Sequence, residues 1–177
     1  MKERSLGETY DKSYIAIPIL ESPLFDWVQS INGHKKFYHI SILPLGTIDE
    51  EELMGIKEAI SSIPKNEKHI PIIPERLVFI GENKNAFVLS IKNTEELSKI
   101  REMLEEKLPE NELNGRSFLP HITIQTAKRE SFSKFDRDKL LDIPDRSKSM
   151  GQYTADKIGL YYRTEEGATA LLYLNRI

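Results

Sequence analysis

Apolar and polar positions alternate along this chain in a way that predicts short strands and amphipathic helices in turn. Residues 14–20 form an apolar run that is typical of a strand. A helix follows, with apolar residues spaced four then three positions apart, and it ends at Gly33. Residues 37–43 predict a second strand, rich in aromatic and β-branched side chains. A second helix comes next, and Thr47 with Glu50 has the spacing of a capping box at its start.

The second half of the chain repeats this order. After the second helix the pattern predicts a hairpin (76–81 and 86–91), a helix capped near Thr94, a strand (118–125), a charged helical stretch to Ile143 and a closing hairpin (157–163 and 168–174). We therefore predict a single domain, residues 1–177, with approximate repeats at 14–85 and 86–177. The expected fold class is α+β, with two pseudo-symmetric α/β lobes whose antiparallel sheets face each other across a central cleft.

Composition narrows the chemistry that is available to this domain. The 177 residues include no cysteine, which excludes disulfides, thiolate metal sites and thiol nucleophiles. No stretch approaches the roughly 18–20 apolar residues of a membrane helix, and residues 1–10 lack the apolar region of a signal peptide. We expect a cytoplasmic protein with no membrane contact. The net charge of −3 argues against duplex DNA as a partner but allows recognition of a single phosphate.

Two of the four histidines lie in the same short motif. His-Ile-Ser-Ile begins at His39, and His-Ile-Thr-Ile begins at His121. Side chains alternate between the two faces of a strand, so His39 shares a face with Ser41, and His121 shares a face with Thr123. The isoleucines between them are expected to enter the core. The motif occurs at equivalent places in the two repeats, and this recurrence favours a functional role over the structural role that a lone strand histidine usually has.

Two imidazoles that meet across a cleft supply the parts of an acid–base catalyst. Their ordinary pKa near 6.5 suits one to accept a proton and the other to donate one at neutral pH. The hydroxyls of Ser41 and Thr123 can donate hydrogen bonds to the non-bridging oxygens of a phosphodiester. We predict His39 and His121 as catalytic residues and the two hydroxyls as phosphate-binding groups.

Other features of the sequence add weaker candidates. Tyr162 and Arg163 end a strand beside a turn, where a tyrosine can stack on a base and an arginine can meet a phosphate. Residues 128–148 hold seven basic and five acidic residues close to the second motif, and a solvated helix face is the ordinary interpretation. A solvated loop is likewise the default for Lys36, with phosphate contact as the alternative. Neither motif has carboxylates at a ligand spacing, and no Gly-rich nucleotide loop occurs, so we expect no metal and no cofactor.

The two motifs and their surroundings resemble the two-histidine (2H) phosphoesterases, which include RNA 2′,3′-cyclic phosphodiesterases, also called 2′-5′ RNA ligases. The resemblance covers nearly the whole chain, from the opening strand YIAIPIL through HISILPLG and FLPHITI to the closing hairpin. It implies the bilobal fold of that family, with His39 and His121 as the catalytic pair. Many RNA-directed members carry an arginine five residues after the second motif histidine, where this chain has Thr126. Lys128 and Arg129 are the candidate replacements.

The resemblance implies a metal-independent phosphodiesterase that hydrolyses 2′,3′-cyclic phosphate ends of RNA or nucleotides, or runs the reverse 2′-5′ ligation. The expected partners are therefore RNA ends or cyclic nucleotides, and the expected state is a monomer. Two alternatives stay open. One is a non-catalytic module with the same fold that binds RNA ends or nucleotides. The other is a carboxylic esterase that uses Ser41 or Thr123 as its nucleophile.

Overall fold

Strands and helices alternate in a computed structural model that describes residues 8–33, 36–65, 70–109, 117–127 and 131–177. In chain order these residues form β1 (Thr9–Pro18), α1 (Pro23–Asn32), β2 (His39–Asp49), α2 (Glu50–Ser61), β3 (Ile70–Ile72), β4 (Pro74–Ile80), β5 (Ala86–Ile91), α3 (Glu95–Lys107), β6 (His121–Thr126), α4 (Lys134–Leu141), β7 (Tyr153–Ala155), β8 (Lys157–Arg163) and β9 (Thr169–Arg176). The α+β fold class expected from the sequence is confirmed.

Seven of the described strands form one antiparallel sheet in the order β4-β5-β6-β2-β1-β8-β9. The two motif strands, β2 and β6, lie side by side at its centre and are joined through a single pair, Ile40 with Ile122. The neighbouring strands pair over much longer stretches, β1 with β2 and β5 with β6. The short β2–β6 junction is therefore the seam between the two halves of the sheet.

The halves exchange strands across this seam. β4 belongs to the first run of elements but pairs with β5, whereas β8 belongs to the second run and pairs with β1. A small second sheet, β3 with β7, joins the two runs again. Because strands from each run complete the sheet of the other, the two motif strands are held by pairings from the whole chain.

The inward face of the central strands builds the core. Six isoleucines of β1, β2 and β6 have no exposed surface: Ile15, Ile17, Ile40, Ile42, Ile122 and Ile124. Leu24 of α1, Ile56 of α2, Leu97 of α3 and Leu140 of α4 belong to the same contiguous cluster. Burying each such side chain contributes about 1.5–3 kcal/mol, so this packing fixes which face of β2 and β6 turns away from the core.

The ends of α1 and α2 can be compared with the end and capping signals in the sequence. Ser22 caps α1 through a 3.1 Å hydrogen bond from the Phe25 amide, and Gly33 ends the helix with a left-handed φ of 74°. The capping box predicted at Thr47 is wrong. β2 continues through Thr47, whose hydroxyl donates to Asp11 of β1 at 2.8 Å, and the capping box of α2 is formed by Asp49 and Glu52. Strand pairing with β1 outweighs the local signal.

No helix among the described residues is long and apolar enough to cross a membrane.

Candidate active site

The register of the two motif strands brings their polar side chains together. In an antiparallel pair centred on Ile40 and Ile122, His39 lies across from Thr123, and Ser41 lies across from His121. Because both isoleucines point into the core, all four polar side chains lie on the opposite face of the sheet. Each imidazole therefore has a hydroxyl from the other strand beside it.

This face forms the wall of a cleft of about 830 Å³. His39, Ser41 and Thr123 are among its lining residues, and His121 lies beside them in the register without lining the cavity itself. The charge of His121 nevertheless acts on the ring of His39, so the two imidazoles belong to one electrostatic site. A cavity of this size accommodates a ligand of nucleotide dimensions.

Three aromatic rings hold the imidazole of His39, and we call Tyr14, Phe37 and Tyr161 the aromatic clamp. The His39 ring stacks on Tyr14 with centroids 4.9 Å apart and on Phe37 with centroids 5.2 Å apart. Tyr161 contacts both partners, with centroids 4.8 Å from Phe37 and 5.9 Å from Tyr14. The Tyr14 hydroxyl also lies 3.3 Å from the Thr169 hydroxyl of β9. The clamp fixes the orientation of the imidazole and shields it from water.

The pKa of His39 is lowered from 6.5 to about 4, and burial is the largest cause. The Phe37 backbone partly opposes the effect by favouring the protonated ring, and the positive charges of Lys36, Arg163 and His121 contribute to the lowering. That backbone contact stops short of a full hydrogen bond, since Nδ1 of His39 is buried and finds no hydrogen-bond partner among the described residues. At neutral pH the His39 ring of the unliganded protein is therefore uncharged, which is the state of a proton acceptor.

His121 is held in a different way. Its Nδ1 lies 2.7 Å from the carbonyl oxygen of Leu119. A carbonyl can only accept, so Nδ1 carries the proton in this contact and Nε2 is left for chemistry. The same hydrogen bond persists when the ring is doubly protonated, so this contact suits a histidine that donates a proton from Nε2.

The charged groups that line the cleft are all cationic. They are Lys12, Lys36 and Arg163, and the described lining residues include no aspartate or glutamate. None of the three forms an ion pair with another described residue, since the pairs present join Lys99 to Glu95 and Arg101 to Glu105. Burial and the charge of Arg163 lower the pKa of Lys36. A protein with a net charge of −3 thus keeps a local anion site.

The weaker candidates from the sequence differ in where they lie relative to the cleft. Arg163 lines the cleft, whereas the neighbouring Tyr162 is absent from its lining and packs against Tyr10, with ring centroids 5.2 Å apart. The position of Tyr162 gives no support to its predicted contact with substrate. Lys128 and Arg129 lie outside the described residues. Thr126, which stands where the family arginine was expected, does line the cleft, and the nearby cations are Lys36 and Arg163.

Sequence reasoning missed the aromatic clamp and gave Lys36 a solvated loop. The signal for the clamp was present in Phe37, which is two residues before His39 and so shares its face of the strand. For Lys36 the signal in the sequence was its nearness to the first motif.

Because Gly159 has no side chain, the Tyr161 ring can occupy the space beside it. A Cβ atom at Gly159 would lie 2.7 Å from Cε2 of Tyr161, closer than van der Waals contact allows. We therefore expect Gly159→Ala to displace the Tyr161 ring from Phe37 and Tyr14, so that the imidazole of His39 is held less rigidly. The expected result is a fall in kcat of about tenfold, which corresponds to a rise of about 1.4 kcal/mol in the activation free energy. Steady-state kinetics with near-ultraviolet circular dichroism will check this. Gly55→Ala, on α2 where a Cβ meets nothing within 4 Å, is the control. Unchanged kcat in Gly159→Ala would show that the clamp does not position His39.

Comparison with known proteins identifies the family. The model of the 2′-5′ RNA ligase superfamily matches residues 32–167, a range that includes both histidine motifs. The chain therefore belongs to the 2′-5′ RNA ligase superfamily of two-histidine phosphoesterases. Proteins of this superfamily are enzymes of the phosphoesterase or RNA ligase type, and the resemblance seen in the sequence is confirmed.

Solved structures share the fold at low sequence identity. TT0787 of Thermus thermophilus matches with a TM-score of 0.70 and 15% identity, over 93% of this chain and 97% of that chain. E. coli LigT complexed with NADP+ matches with a TM-score of 0.67 and 16% identity, over 95% and 98%. Usb1 of Kluyveromyces marxianus has a TM-score of 0.57 and 13% identity, over 93% and 98%. A comparison with curated proteins gave no match.

Proposed function

We propose that this protein hydrolyses 2′,3′-cyclic phosphate ends of RNA or nucleotides. The observation that carries the proposal is the register at Ile40 and Ile122, which puts two imidazoles and two hydroxyls on one face. That face borders a cleft whose charged lining residues are all cations. The complexes of LigT with phosphate and with 3′-AMP support a phosphate-bearing ligand for this fold.

The proposed step is an in-line attack of water on the cyclic phosphate. His39, uncharged in the free protein, takes a proton from the water as its oxygen bonds to phosphorus. The bond from phosphorus to the ribose O3′ breaks, and His121 gives its Nε2 proton to that oxygen. The product is a terminal 2′-phosphate with a free 3′-hydroxyl, His39 is left protonated and His121 neutral, and proton exchange with solvent restores both. With a 5′-hydroxyl in place of water, His39 takes the proton of that hydroxyl, its oxygen bonds to phosphorus, and His121 protonates the leaving O3′, which gives a 2′-5′ linkage.

The remaining polar groups stabilise the phosphate as its charge grows. Ser41 and Thr123 donate hydrogen bonds to the two non-bridging oxygens, and Lys36 and Arg163 supply the positive charge that faces them. The described residues contain no group of three or more His, Cys, Asp or Glu that could hold a metal ion, and the proposed step uses none.

The pH dependence of kcat/KM tests the role of His39. A base must be deprotonated, so in the wild-type protein the acid limb of kcat/KM should lie at about pH 4, the pKa of His39. In Arg163→Gln one of the charges that lowers this pKa is gone, so we expect the acid limb to move to higher pH, in addition to any loss of substrate binding.

A pH series from about 3.5 to about 9 on both proteins supplies the measurement, since it spans the range in which a histidine base titrates. Arg176→Gln on β9 is the matched control, because Arg176 is absent from the cleft lining. An acid limb at the same pH in Arg163→Gln and the wild-type protein would contradict the assignment of His39 as the base.

A cyclic-phosphate-ended oligonucleotide, incubated with the protein in excess EDTA, tests the activity. We expect a terminal phosphate that alkaline phosphatase then removes, because a monoester is a phosphatase substrate and a cyclic phosphate is not. Comparison with 2′- and 3′-phosphate standards identifies the broken bond. Binding of a 2′-phosphorylated nucleotide without turnover would show instead that the protein is a non-catalytic binding module. Trapping of Ser41 or Thr123 by a phosphonylating probe would show instead that it is a carboxylic esterase.

A further inference from the structure

Two more cavities continue from the cleft on the side of α1 and α4, and together we call them the α4 groove. The first, about 670 Å³, shares Lys36 and Thr126 with the cleft. The second, about 590 Å³, shares Asn32, Gln125 and Asp136 with the first. Each cavity therefore shares wall residues with the next, in the order cleft, first cavity, second cavity.

We propose that the α4 groove binds the two nucleotides that precede the terminal cyclic phosphate of an RNA, one in each cavity. This inference rests on the proposed function, since it places the reacting phosphate in the cleft. A 2′,3′-cyclic phosphate closes the 3′ end of a chain, so the rest of the RNA leaves from the 5′ side of the terminal ribose only. One path out of the cleft is therefore what such a substrate needs.

The chemistry of the α4 groove fits a single strand. The first cavity is lined by the side chains of Asn32, Gln125 and Ser131, and amides and hydroxyls are the groups that read unpaired bases and sugars. The second is lined by Trp27 and by Lys139 and Arg146, whose positive charges suit a phosphate of the strand.

One carboxylate, Asp136, also lines both cavities. It is engaged at the start of α4, where the Ser133 hydroxyl donates to its Oδ2 at 2.6 Å and its own amide donates to the Ser133 oxygen at 3.1 Å. The charged lining of the α4 groove is thus Lys36, Lys139 and Arg146 against Asp136.

The opposite exit from the cleft suits RNA less well. It leads past Lys12 and Arg163 to a smaller cavity of about 290 Å³, which is also lined by Asp11 and Glu165. Lys12 and Arg163 line this cavity as well, so its two cations are balanced by two carboxylates, whereas the α4 groove has three cations against one carboxylate. The charges therefore direct the strand towards α4.

Substrate length gives the first test. We expect kcat/KM to rise from 2′,3′-cyclic AMP to the cyclic-phosphate-ended dinucleotide and again to the trinucleotide, and to stop rising at the tetranucleotide, because the α4 groove has two cavities. Equal kcat/KM for the mononucleotide and the trinucleotide would overturn the α4 groove while leaving the proposed hydrolysis intact.

Salt dependence of binding gives the second test and does not require turnover. A trinucleotide ending in a 2′-phosphate is titrated into wild-type protein, Lys139→Gln and Lys134→Gln at several salt concentrations. Lys134 is the matched control, on the same helix but outside the α4 groove. We expect Lys139→Gln alone to weaken binding and to reduce the slope of log K against log salt by about 1. Equal slopes in all three proteins would contradict the α4 groove, whereas the expected slopes without hydrolysis of any cyclic substrate would support it and overturn the proposed function.

Discussion

Replacing His39 or His121 with alanine will lower kcat for cyclic phosphate hydrolysis by about 10²–10⁴-fold in each case. The reason is that each imidazole carries one of the two proton transfers, and water in its place is a poor acid and a poor base. The two groups act as a unit, so the double variant should lose little more than the slower single variant. Single-turnover kinetics with 2′,3′-cyclic AMP measures the chemical step directly.

Circular dichroism spectra and thermal midpoints separate this loss from unfolding, since the rings of Tyr14 and Phe37 pack on His39. Tyr162→Leu is the control. Tyr162 precedes Arg163 on β8, but its ring packs against Tyr10 and does not line the cleft. Losses that multiply in the double variant would show that the two histidines act independently, and full activity in either single variant would remove that histidine from the mechanism.

Removal of the Thr123 hydroxyl is expected to have the next largest effect. Thr123→Val keeps the shape of the side chain and deletes its donor to the phosphate, and loss of one such donor lowers kcat by about 10²–10³-fold. Because the hydrogen bond strengthens as charge develops in the transition state, kcat should fall while KM changes little. Ser41→Ala should behave in the same way, because Ser41 lies across from His121 as Thr123 lies across from His39.

Steady-state kinetics on Thr123→Val and Thr123→Ser makes the comparison, since serine restores a hydroxyl at the same place. Recovery of kcat in Thr123→Ser is the expected outcome. Thr123→Val with wild-type kcat and a raised KM would show that this hydroxyl only binds the ground state.

The alternation of side chains along a strand accounts for the residues that this site brings together. The alternation of His39 with Ile40, and of His121 with Ile122, already put imidazole and hydroxyl on one face with isoleucines behind them, and the burial of both isoleucines agrees. The same alternation explains why Tyr162 and Arg163 do not both line the cleft, since neighbours on a strand point to opposite faces. The register shift at Leu160 and Tyr161 leaves Leu172 of β9 unpaired, so the alternation along β8 is not interrupted and Arg163 shares the face of Tyr161.

Long-range pairing accounts for what the sequence left undecided. The pairing of β8 with β1 depends on which strands meet across widely separated parts of the chain, as in the pairing of Tyr14 with Tyr161, and no local pattern encodes that choice. The three-residue strands β3 and β7 are too short to leave a periodic signal. The lowered pKa of His39 follows from packing by Tyr14, Phe37 and Tyr161, which converge from three separate segments of the chain.

Phosphorus NMR of 2′,3′-cyclic AMP with the wild-type protein in excess EDTA shows whether the paired histidines hydrolyse a cyclic phosphodiester. Hydrolysis by the two histidines predicts that the cyclic phosphate resonance is replaced by that of 2′-AMP, and that the sample with His39→Ala and His121→Ala combined keeps the cyclic resonance over the same time. A cyclic resonance that stays unchanged with wild-type protein, at a concentration where binding of 2′-AMP is detected, would contradict it.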